Sequence, residues 1–119
     1  MIHAMNISGK HFLVTGGAGF IGSELVHQLA SQKTRVVVVD NLVNGKRQNL
    51  ADLDSDQVQL VVEDIRSRER MADLMRDVDT VFHLACLGVR HSIHSPHENH
   101  EVNATATLQL LSAAREAGV

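Results

Sequence analysis

Eight residues, Thr15-Gly16-Gly17-Ala18-Gly19-Phe20-Ile21-Gly22, constrain this chain more than any other feature. They follow the apolar run Phe12-Leu13-Val14 and lead into Ile21, Leu25 and Leu29, spaced i, i+4, i+8. That order reads as strand, glycine turn, helix. The turn satisfies G-x-x-G-x-x-G through Gly16, Gly19 and Gly22, and G-x-G-x-x-G through Gly17, Gly19 and Gly22. In such a turn the first glycine takes an unusual backbone angle and the second lets a pyrophosphate approach the backbone. The third lets helix and strand pack closely, and the helix N-terminus presents N–H groups to phosphate.

The rest of the chain repeats the alternation. Residues 35–39 form a near-continuous valine run, the pattern of a strand buried on both faces. Residues 58–62 and 80–84 read as two further strands. Met71, Leu74, Met75 and Val78 make a helical face, with Ser67 as N-cap, and a shorter, weaker helix is expected over residues 46–53. For the last helix, Ser95 is the expected N-cap, Pro96 is N1, and Glu98 completes a capping box. Val102, Ala106, Leu110, Ala113 and Ala117 would form its face, with Gly118 closing it. Strands joined through helices run parallel with right-handed crossovers. The expectation is a single α/β domain over residues 1–119, a Rossmann-type doubly wound parallel sheet of order 3-2-1-4. The fourth strand would be a bare apolar edge, so the chain is expected to be part of a longer protein, truncated before the remaining strands and a substrate lobe.

In that topology, ligands bind outside the C-terminal strand ends. Asp40 and Asn41 end the second strand, Asp64 follows the third, and Ala85-Cys86 follow the fourth. Asp40 stands eighteen residues after Gly22, where an acid accepts from adenosine ribose hydroxyls and repels a 2′-phosphate, favouring NAD over NADP. Asp64 taken alone fits a helix-entry acid equally well.

Other classes lose support from composition. With 11 Lys and Arg against 14 Asp and Glu, the net charge of −3 gives no footprint for nucleic acid or an anionic membrane. No apolar run approaches the ~20 residues that span a bilayer. Residues 1–10 lack the apolar core of a secretory signal, and one cysteine permits no intrachain disulfide, so a cytoplasmic location is expected. A flavodoxin-like or receiver domain fits poorly, because no acidic cluster follows the first strand.

Together these segments resemble the N-terminal half of an extended short-chain dehydrogenase/reductase, of the NAD-dependent nucleotide-sugar epimerase/dehydratase family. The resemblance rests on T-G-G-A-G-F-I-G-S at residues 15–23, D-N-L-x-N-G at 40–45, D-I-R at 64–66, H-L-A at 83–85 and N-x-x-x-T at 103–107. The 40–45 run is most similar to UDP-glucose and UDP-N-acetylglucosamine 4-epimerases. By resemblance, Phe20 and Ile21 lie against the pyrophosphate beside Gly16, Gly19 and Gly22, and Asp40 holds the adenosine ribose. Asn41, Asn44 and Gly45 line the adenosine side. Asp64 meets adenine by side chain and Ile65 by backbone. Leu84, Ala85 and Cys86 border the nicotinamide ribose, and Asn103 approaches from the last helix. Two positions depart from the family pattern: Cys86 stands where alanine or glycine is usual, and Ala106 where glycine is usual. The implied cofactor is NAD, the implied substrate a UDP- or dTDP-sugar, and the implied assembly a homodimer through the last helix.

The family reaction uses Tyr-x-x-x-Lys to move a proton while hydride passes between sugar C4 and the cofactor, through a transient 4-keto sugar. This chain has no tyrosine, and its last lysine is Lys46. It is expected to be catalytically inactive alone: either the cofactor-binding half of such an enzyme or a stand-alone NAD-binding sensor or regulatory module. His91, His94, His97 and His100 recur at every third residue. Pro96 divides the run, with His91 and His94 expected in a loop and His97 and His100 on a helix, and no metal site is expected. Cys86 is expected to be packed and inert.

Overall fold

The computed structural model describes residues 6–119; residues 1–5, half of the segment read above as lacking a signal, lie outside the described residues. Four strands, β1 (His11–Thr15), β2 (Arg35–Asp40), β3 (Val58–Val62) and β4 (Thr80–His83), form one parallel sheet ordered β3-β2-β1-β4. This is the expected order. Helix α1 (Phe20–Ala30) links β1 to β2, and α2 (Arg68–Leu74) links β3 to β4. After β4 come α3 (Val89–His94), α4 (Pro96–His100), a π turn (Glu101–Thr105) and α5 (Ala106–Ala117).

Alternation along β1 explains why the sheet is covered on both faces. Phe12 and Val14 point to one side and pack with Val26 and Leu29 of α1 and Val36 and Val38 of β2. Leu13 points to the other, against Met71, Met75, Val78, Val102, Ala106 and Leu110. Successive strand residues face opposite ways, so a strand buried on both faces must be apolar throughout. The Phe12 and Phe82 rings stack at 5.9 Å between centroids.

Several expectations need correction. The buried face of α1 is Gly22, Val26 and Leu29, whereas Ile21 is 72% exposed. The glycine allows close contact, so the helix is rotated from the face its apolar spacing suggests. Residues 46–53 yield only a 3-10 turn, Arg47–Leu50, and β4 ends one residue early, at His83. Ser67 and Ser95 occupy N-cap positions without side-chain caps. No capping box forms, because Glu98 bonds instead to His91 Nε2 at 2.8 Å and Arg66 Nη1 at 3.5 Å. The last helix is not uniform: the π turn interrupts it, and Ala117 is exposed. Gly118 does close it, at φ 78°. His91 and His94 sit in α3 rather than a loop. Cys86 is exposed rather than packed.

Candidate cofactor site

A crevice of about 390 Å³ opens across the C-terminal ends of the strands. Its floor is the glycine turn. Gly16 has φ +72° and lies against the end of β4, where a Cβ would come 2.8 Å from Ala85 N. On Gly22 a Cβ would stand 2.1 Å from Gly16 O, so no other residue fits between helix and turn. Gly17 is confined by side chains rather than backbone, with Val38 Cγ1 at 2.7 Å from its would-be Cβ. Gly19 differs. Its φ is −80°, and a Cβ there would meet nothing nearer than Gly16 O at 3.4 Å. Neither backbone angle nor internal packing requires that glycine, and its bare backbone leaves room for a ligand to approach. The N–H groups of Phe20, Ile21 and Gly22 have no acceptor among the described residues, as expected for a first helical turn that faces an anion. The donor set and the bare Gly19 backbone fit a pyrophosphate.

Asp40 ties the turn to β2. Its buried carboxylate accepts Ala18 N–H on Oδ2 at 3.0 Å and Leu42 N–H on Oδ1 at 2.8 Å. Gly45 lies so close that a Cβ would stand 2.7 Å from Asp40 Oδ2. Two of the carboxylate's roughly four lone-pair sites remain for a ligand. Asn41 Oδ1 accepts Val43 N–H at 3.1 Å, which turns the chain so that Asn44 and Gly45 reach the crevice. Asp64 is held by Arg66, whose Nε and Nη2 donate to it at 3.0 and 2.7 Å. That pairing lowers the Asp64 carboxyl below its usual range. Arg66 also reaches Glu98 and Glu101, joining the end of β3 to the helices after β4.

Gly16, Gly19, Phe20, Ile21, Gly22, Asp40, Asn41, Asn44, Gly45, Asp64, Ile65, Leu84, Ala85 and Cys86 all line this one crevice. Asn103 does not. Its Oδ1 accepts Leu87 N–H and its Nδ2 donates to Leu87 O, both at 2.8 Å, so it fixes the segment that carries Cys86. Sequence reading missed Val43, Glu63, Leu87 and Val102 on the walls, and Thr15 beneath them. Only the T-G-G pattern marks Thr15; the others carry no local signal. Among the described residues no group of three or more His, Cys, Asp or Glu is placed to hold a metal ion, and no helix is long and apolar enough to cross a membrane.

Known proteins share this arrangement. UDP-glucose 4-epimerase of Klebsiella pneumoniae is 40% identical over 113 residues, covering 90% of this chain and 81% of that protein. The structure of the dTDP-glucose 4,6-dehydratase DesIV from Streptomyces venezuelae, solved with NAD bound, matches with TM-score 0.84 and 40% identity, over 92% of this chain and 37% of that one. UDP-N-acetylglucosamine 4-epimerase from Methanobrevibacter ruminantium M1 matches with TM-score 0.86 and 34% identity, over 94% and 36%. Among other curated relatives the chain spans as little as 23% of their length. Residues 12–119 match the NAD dependent epimerase/dehydratase family, and with the glycine turn, Asp40 and the 3-2-1-4 sheet in place, the chain belongs to that family.

Proposed function

We propose that this chain is the NAD-binding portion of a nucleotide-sugar 4-epimerase or dehydratase. The observation that carries the reading is the convergence of the glycine turn, Asp40 and residues 84–86 on one crevice. Bound NAD supplies hydride transfer at a sugar carbon. The chain's own residues bind and orient. The first turn of α1 faces the pyrophosphate, with Phe20 and Ile21 over it. The remaining Asp40 lone pairs take ribose hydroxyls, and its charge repels a 2′-phosphate. Asn41, Asn44, Gly45, Asp64 and Ile65 surround the adenosine. Leu84, Ala85 and Cys86 border the nicotinamide ribose, and Asn103 acts on that end through Leu87. A UDP- or dTDP-sugar is the substrate of the complete enzyme, whose dimer uses the exposed Leu108 and Leu111 of α5.

The absence of tyrosine supports a division of labour in which this chain binds cofactor and turns over nothing alone. It equally supports a cofactor-sensing module. Calorimetry separates the readings from their failure. NAD+ should bind, NADP+ should bind more weakly, and Asp40→Ala should weaken NAD+, with thermal unfolding run alongside because Asp40 also holds Ala18 and Leu42. Equal heats for the two cofactors overturn the role of Asp40. Turnover of UDP-glucose by the chain alone overturns the need for the missing tyrosine.

A further inference from the structure

Just past β3, three consecutive residues, Glu63, Asp64 and Ile65, line the crevice. Two of them carry carboxylates, and the two are not equivalent. Asp64 is engaged within the wall. Its Oδ1 accepts Arg66 N–H at 2.8 Å, its Oδ2 accepts from Arg66 Nη2 at 2.7 Å, and Nε lies 3.1 and 3.0 Å from the two oxygens. Those N–H groups occupy most of the roughly four lone-pair sites of Asp64, and the guanidinium balances its charge. Glu63 is half-buried. Its Oε1 accepts Asp64 N–H at 2.9 Å, which holds the carboxylate against the wall, and Oε2 accepts nothing. No cation pairs with Glu63 among the described residues.

An unpaired acid on the wall of a site for an anionic cofactor repels that cofactor unless the ligand brings a donor to it. A second group beside it is also unsatisfied. Ile65 is buried, yet its N–H has no acceptor among the described residues. Buried backbone N–H groups ordinarily find a partner. The wall therefore presents an acceptor, the Glu63 carboxylate, close to a donor, the Ile65 N–H. The Watson–Crick edge of adenine carries the complement: the N6 amino donor beside the N1 acceptor. Hypoxanthine inverts both, with a carbonyl at C6 and a proton on N1.

We propose that Glu63 is the residue that selects the base of the dinucleotide: its Oε2 accepts from the adenine amino group while Ile65 N–H meets N1. Asp64, clamped by Arg66, shapes the wall and donates its own N–H to hold Glu63 in place. The backbone contact at Ile65 is the one the family resemblance implies. The side-chain contact is not: the hydrogen bonds move it one residue, from Asp64 to Glu63. The proposal rests on the cofactor reading above and adds to it a residue that sets base specificity, as Asp40 sets specificity at the ribose.

The test is calorimetry of the full chain with NAD+ and with nicotinamide hypoxanthine dinucleotide. The wild type should prefer NAD+ about a hundredfold. Glu63→Gln keeps an oxygen for Asp64 N–H but turns the other acceptor into an N–H donor, which suits the hypoxanthine carbonyl. Its preference should fall to about tenfold, the share left to Ile65 N–H. Glu63→Ala, which removes the acceptor without adding a donor, should fall between the two. AMP against IMP should give the same order, because the contact lies in the adenosine half. A Glu63 that only braces the wall would weaken both dinucleotides in parallel when replaced and leave their ratio unchanged; that result overturns the proposal. NAD+ binding with no preference for the base overturns the proposal alone. Binding of neither dinucleotide overturns the cofactor reading and the proposal with it.

Discussion

On the β1–β2–β3 side of the crevice, residues are positioned by close backbone packing: glycines with no room for a Cβ, and one buried carboxylate taking two backbone N–H groups. On the β4 side they are positioned by side-chain hydrogen bonds from Thr15, His83, Asn99 and Asn103 to short segments with little apolar burial; α3 and α4 contain no buried residue. Packing tolerates changes in pH and fails abruptly when volume is added. A polar network tolerates modest volume changes and fails when one partner is lost or changes its proton. The β1–β2–β3 wall is thus a rigid socket and the β4 wall an adjustable one.

The sharpest way to break this comparison is at the glycines. Gly22→Ala forces a Cβ to 2.1 Å from Gly16 O, so it should cost about 3 kcal/mol or more and abolish NAD+ binding. Gly19→Ala should leave stability within about 1 kcal/mol, since its Cβ meets nothing nearer than 3.4 Å, yet still block NAD+. Denaturant melts with cofactor titrations check both. A Gly19→Ala chain that binds normally would remove the ligand-based reason for that glycine.

Next in size is the polar wall. Asn103→Ala deletes both bonds to Leu87, leaving its part-buried N–H without a partner and its C=O only Asn99 Nδ2 at 3.3 Å, a loss of about 2 kcal/mol. Exchange protection should vanish first over residues 87–94 and persist in β1 and β2. Uniform loss across the sheet would show that the two walls are one cooperative unit.

Legibility in the sequence follows the same division. The glycine turn, Asp40 and the strand order could be read because their signals are local: fixed spacing, a valine run, alternation of strand and helix. Helix α3 left no trace because it buries nothing and so has no apolar period. Ser95-x-x-Glu98 reads as a capping box, yet a guanidinium from Arg66, thirty-two residues away, and the ring of His91 take Glu98. Thr15 and His83 are sixty-eight residues apart, and no spacing rule joins them. The π turn is a change of backbone register that composition does not encode. The family resemblance puts Asn103 at the crevice, when its amide instead matches the Leu87 peptide.

The smallest effect sets one histidine against the other. His27, on α1, lies 2.7 Å from Ser23 O at Nδ1 and 2.9 Å from Asp52 Oδ1 at Nε2. Both ring nitrogens face acceptors, the Ser23 carbonyl first and then Asp52, so its affinity for a proton is raised. The folded state therefore binds a proton that the unfolded chain releases near the usual imidazole value. His27 contributes its full stability below that value and loses it as pH rises through the raised one. His83 has the opposite sign: its proton affinity is lowered, so its contribution is complete above the usual value and is lost as pH falls. Urea midpoints of the wild type and His27→Gln, compared from about pH 5 to about pH 8.5, should converge as pH rises. Midpoints of the wild type and His83→Gln should change relative to each other toward acid instead. Because its partner Asp52 is largely exposed, the His27 signal should be the weaker of the two. A difference for His27→Gln that grows with pH would mean that the Ser23 carbonyl does not hold the charged ring, and would leave Asp52 as an incidental neighbour.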